Sequence, residues 1–114
     1  MTMTLTRDEI LGKISLLVET IDIPEWGGKV HVREMSGAER DAWEALAFGD
    51  DKKGNLRATL AVACLCDETG KRLFVDEDAG SLGATSAVAL QRIFDAAMRI
   101  NKLRKDDYED AAKN

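Results

Sequence analysis

One proline, one histidine, two cysteines and an aromatic content of 5% leave several kinds of protein without their raw material. No run of about 18 consecutive apolar residues occurs, and the start MTMTLTRDEILGK lacks the basic opening and long apolar stretch of a secretory leader. A membrane span is not expected, and the cytoplasm is the expected compartment. Cys64 and Cys66 form a C-x-C that is too tight for an easy disulfide and two ligands short of a structural zinc site. Free, partly buried thiols in a reducing environment follow. Basic residues are outnumbered, 16 against 21 acidic, and the net charge of -5 repels phosphate backbones, so nucleic-acid binding is disfavoured. Phosphate-loop, dinucleotide and zinc-protease motifs are all missing, and a lone His31 gives a nucleophile little choice of base. No catalytic set, cofactor site or metal site emerges, and the chain does not read as an enzyme.

What remains is 114 residues with 45% hydrophobic and 32% charged content, the composition of a globular protein with one modest core. Thr6 and Glu9 have capping-box spacing and open a first helix expected over about 6–17, weakened by Gly12. Ile21 and Ile23, then Val30 and Val32, recur with period two on either side of PEWGG, which reads as a β-hairpin. That alternation turns His31 to the polar side with Lys29 and Arg33, and Asp22 can lie across from this basic row. Ser36 and Glu39 repeat the capping-box spacing and start the helix GAERDAWEALAF, with Ala38, Ala42, Trp43, Leu46 and Ala47 as its inward stripe.

A polar loop GDDKKGN precedes LRATLAVACLC, for which helix is preferred although a central strand also fits. DETG then reads as a turn, KRLFV as an extended piece, and the acidic DEDAGS as an exposed loop that lacks the ligands of a calcium loop at Gly80 and Ala87. Thr85 or Ser86 caps a last helix running to about Leu103. The fold class expected is α+β, a small single domain over 1–103 with an N-terminal β-hairpin packed against three to four helices. Residues 104–114 are expected to be a flexible polar tail.

On the last helix Gln91, Arg92, Asp95, Arg99 and Lys102 fall within an arc of about 100 degrees. Apolar residues occupy about 220 degrees of the rest, more than one core contact needs. The surplus is covered either within the chain, by LRATLAVACLC and the hairpin, or by another chain. For the second case Leu90, Ile93, Phe94, Ala97, Met98 and Ile100 are the candidate client or self-association surface.

The segments PEWGGKVHVREMSGAERDAWE, LRATLAVACLCDETGKRLF and LQRIFDAAMRINKL, in this order from about Ile21 to Leu103, resemble the tail assembly chaperone family of long-tailed siphophages. The resemblance implies a non-catalytic protein of the infected host's cytoplasm. It would keep the tape measure protein soluble while tail tube protein subunits polymerise around it, and be absent from the mature virion. It also implies a homo-oligomer and, through a programmed frameshift, a longer form of the same chain. Ala112-Lys113-Asn114 permits GCA AAA AAC, which contains the slippery heptamer A AAA AAC. The competing expectation is a small structural tail or connector subunit of the virion.

Overall fold

The structure is a computed structural model and describes residues 3–13, 15–48 and 55–103. Two expectations fall outside them: the interior of the polar loop at 49–54 and the tail from 104 with its Ala-Lys-Asn end.

Both capping boxes form. The Glu9 amide donates to the Thr6 hydroxyl at 3.3 Å, and the Thr6 amide donates to the Glu9 carboxylate at 3.2 Å. Even so, α1 spans only Arg7–Leu11 and stops at Gly12, well short of Leu17. Five residues with no buried side chain have nothing to offset the nucleation cost of a helix, and Gly12 favours its end.

Strands β1 (Val18–Ile23) and β2 (Gly28–Arg33) pair antiparallel, with Asp22 opposite Lys29 as expected and Thr20 opposite His31. A 3-10 turn at Pro24–Trp26 joins them, and Gly27 at φ 68 closes it in the left-handed region that a side chain resists. Helix α2 covers Gly37–Phe48, and α3 covers Leu56–Cys64. Strand β3 (Leu65–Cys66) follows directly and pairs with β2, so the ambiguous segment is helix for nine residues and strand for two. The sheet order is β1-β2-β3. Arg72 of the extended piece bridges back to Cys66.

The expected acidic loop is instead a 3-10 turn (Asp76–Asp78) running into a short α4 (Ala79–Gly83) that buries Leu82. Here the Asp78 carboxylate accepts the Val75 amide at 2.9 Å, so part of the acidic run serves as a helix-entry cap. Helix α5 spans Ala87–Ile100, and of the two candidate caps Ser86 is the one used, accepting the Ala89 amide at 3.2 Å.

One face of the sheet, carrying Ile21, Ile23, Val30, Val32 and Leu65, packs against α3 and α5 to form the core. Ile23, Leu60, Leu65 and Ile93 are fully enclosed, each contributing about 1.5–3 kcal/mol of burial. The chain is therefore α+β, with a hairpin extended to three strands and, among the described residues, five α-helices. Helix α2 contributes less than its pattern promised: Trp43 and Ala47 are buried, whereas Ala38, Ala42 and Leu46 are exposed. It meets the core chiefly along α3, and one line of contact encloses a narrower stripe than a groove does.

Candidate protein-interaction surface

Of the six candidate residues on α5, the structure places Leu90, Ile93, Phe94 and Ala97 inside the core. Met98 and Ile100 stay partly exposed while packing against that core. The wide apolar arc is divided between two covers in the same chain, α3 on one side and the β1-β2 hairpin on the other. Of the two ways to cover it, the intramolecular one is present for the four buried residues.

The polar arc of α5 faces outward as its spacing predicts, and much of its charge is engaged with the chain's own partners. Arg92 forks onto Glu25 of the hairpin turn with bonds of 2.8 and 3.0 Å, and Arg99 is paired with Glu19 of β1. The Arg92 guanidinium holds the Glu25 carboxyl below its ordinary value and is itself raised by it. Gln91 donates to Asp95 at 2.8 Å and accepts from Arg57 of α3, whose guanidinium also lies 5.8 Å from the Phe94 ring centroid. These contacts pin the hairpin and α3 to α5. A shallow depression of about 410 Å³ lies along this face between Ala87, Val88, Gln91, Arg92 and Asp95.

A second polar cluster is buried, and the sequence pattern did not reveal it. Arg33, expected at the surface beside His31, is 6% exposed. It pairs with Glu39 and reaches the Ala63 carbonyl at 3.4 Å, while its Nε has no partner among the described residues. Glu39 in turn accepts the Ser36 amide at 2.9 Å. Burial pushes the Glu39 carboxyl up, but the Ser36 amide and Arg33 outweigh it and hold it below the ordinary value. Asn101, also buried, accepts the Met35 amide at 2.7 Å and donates to the Cys64 sulfur at 3.6 Å. This cluster locks the β2–α2 junction to the ends of α3 and α5.

The histidine and the two cysteines are held by local contacts. His31 shares a hydrogen bond of 2.8 Å with the Thr20 hydroxyl across the hairpin, and its backbone carbonyl accepts from the Cys66 thiol at 3.6 Å. Burial pushes the Cys64 thiol up to about 12 and raises that of Cys66, so neither is a ready nucleophile. No group of three metal-ligating residues exists among the described residues, and no described helix is long and apolar enough to cross a membrane.

Exposed apolar side chains lie elsewhere. Met3, Leu5, Ile10, Leu11, Leu17 and Val18 are exposed near the start of the described chain, as are Trp26, Leu46, Leu73, Val75 and Val88 further along it. Helix α1 buries none of its residues. Its capping box and the short apolar run were readable in the sequence, but nothing there indicated that the helix would bury none of its side chains.

The family model for phage tail assembly chaperones matches residues 14–114. A solved structure, the tail assembly chaperone of bacteriophage HK97, superposes with a TM-score of 0.57 at 22% identity, over 75% of this chain and 85% of that one. At that identity the likeness establishes the fold. Among curated proteins none matches.

Proposed function

We propose, on the premise that the chain belongs to the phage tail assembly chaperone family, that it binds the tape measure protein and keeps it soluble while tail tube subunits polymerise around it. It acts in the host cytoplasm as several copies along one client and leaves before the virion is complete. The family match over residues 14–114 carries this reading. The surface agrees with it: apolar side chains without cover in their own chain are the raw material of protein docking. Many weak contacts along one extended client give avidity without a large interface for any single copy. Met98 and Ile100, the two α5 candidates that keep some exposure, belong to the docking surface on this reading.

Co-expression with the tape measure protein of the same phage tests it. The expected result is a soluble complex, with the tape measure aggregating when expressed alone and this chain missing from purified particles by mass spectrometry. Stoichiometric presence in mature particles would identify a structural tail or connector subunit instead. A longer, frameshifted product is part of the same reading. Codons GCG AAG AAT at residues 112–114 would exclude a slip at that place.

A further inference from the structure

Helix α5 ends in a turn that draws the chain back on itself. The Lys102 amide donates to the Arg99 carbonyl at 3.2 Å and the Leu103 amide to the Met98 carbonyl at 2.9 Å, the paired bonds of a Schellman cap. Lys102 takes φ 53 to make the turn, a left-handed conformation that glycine adopts freely and lysine resists. One side of this helix end is already filled: Asn101 accepts the Met35 amide at 2.7 Å, and Arg40 donates to the Asn101 carbonyl at 3.2 Å. On the other side Met98, Asp95, Gln91 and Ala87 follow one another at helical spacing in a single row. Beside that row lie Arg92 and Val88, the latter 56% exposed, and the shallow depression described above runs between them.

We propose that the chain beyond Leu103 folds back along this row and seats Tyr108 in the depression, so that the C-terminal segment straps the outer face of α5. Reach selects the residue. Gln91 lies about 15 Å back from Asn101 at 1.5 Å per residue, and Tyr108, a few residues past Leu103, spans about 17 Å when extended. It is the one tyrosine of the chain and the only aromatic after Phe94. Its ring suits Ala87 and Val88, and its hydroxyl has Gln91, Arg92 and Asp95 as partners. Charge agrees with this seat. Asp106, Asp107, Glu109 and Asp110 surround Tyr108, while Arg92 and Arg99 keep 46% and 59% of their side chains exposed despite their pairing with the hairpin. Asp95 is the only carboxylate on α5, and Gln91 already donates to it. A partner that docks on the outer face of α5 must displace Tyr108 first, which makes the segment a regulator of that face. The strap forms within one chain and does not depend on the client proposed above.

Nuclear magnetic resonance on the isotope-labelled full chain tests the strap. The expected result is a nuclear Overhauser contact between the Tyr108 ring and the Val88 methyl groups, with the amide signals of Ala87, Gln91 and Asp95 displaced in Tyr108→Ala. Val88→Asp sets a carboxylate against the acidic segment and should abolish the contact, with the melting temperature unchanged because Val88 is exposed. If that variant unfolds, Tyr108→Ala alone decides. Absence of the contact overturns the proposal, as do amide signals that stay in place in Tyr108→Ala or a contact that survives Val88→Asp. A contact seen only between differently labelled chains in a mixed sample overturns it too, because the segment then sits on a second copy. Failure of the tape-measure reading looks different: the contact is present and no tape measure co-purifies.

Discussion

Helix α5 and the segment from Leu5 to Val18 carry the same kinds of apolar residue, and their fates are opposite. Both open with a side-chain cap, Ser86 for α5 and Thr6 for α1. Helix α5 continues for 14 residues because α3 and the hairpin cover nearly all of its apolar arc. Helix α1, which buries none of its side chains, stops after five at Gly12. The difference teaches that a cap and an apolar stripe start a helix, but tertiary burial decides how far it runs.

The strongest way to break the contrast is to charge the covered side. Ile93→Asp places a carboxylate where no water reaches and should abolish cooperative folding, a loss on the order of 4 kcal/mol or more by thermal denaturation. A folded, monomeric variant with an unchanged melting temperature would mean that α5 is not the core element. Next in size is Arg33→Met. It strands Glu39 at the β2–α2 junction and should cost about 2–4 kcal/mol, less than a fully enclosed pair because Glu39 keeps some contact with solvent. Equal urea midpoints for wild type and variant would remove the junction from the list of stabilising features.

The same pair gives a pH dependence. Glu39 is held below its ordinary value in the folded state, so its contribution is complete above about pH 4.3 and is lost as pH falls through the folded value. Urea midpoints should fall on acidification below that point, and Glu39→Gln should flatten this part of the curve. An identical slope in the variant would assign the acid sensitivity to other carboxylates.

The smallest effects sharpen the comparison most. Ser86→Ala should cost about 1 kcal/mol of global stability, whereas Thr6→Ala, the same chemistry at the uncovered helix, should change the monomer's melting temperature hardly at all. Equal losses from the two would show that α1 is coupled to the core after all.

The sequence was most informative where one rule acts locally. The two capping boxes, the hairpin with Asp22 across from Lys29, and the outward polar arc of α5 all follow from spacing. Residues 56–66 satisfied two patterns because the chain uses both, nine residues as helix and two as a strand pairing with β2. Arg33 was unreadable for a different reason. Alternation put it correctly on the face of His31, but that face is covered at its far end by α2 and the end of α3, a tertiary fact with no periodic signature. The candidate surface on α5 was legible as apolar surplus and not as to who covers it, because a helical wheel counts apolar residues and is silent about neighbours. The exposed α1 segment is the converse case.

The buried C-x-C pair is a built-in clock. Cys64 is fully enclosed, its thiol is raised to about 12, and it sits where α3 gives way to β3 beneath Asn101. An alkylating reagent can reach it only when that joint opens. The rate at which Cys64 is modified at neutral pH therefore measures how often the native molecule breathes there, without any engineered label. Comparing that rate with and without the tape measure protein, the proposed client, would time whether its binding stiffens that joint or loosens it.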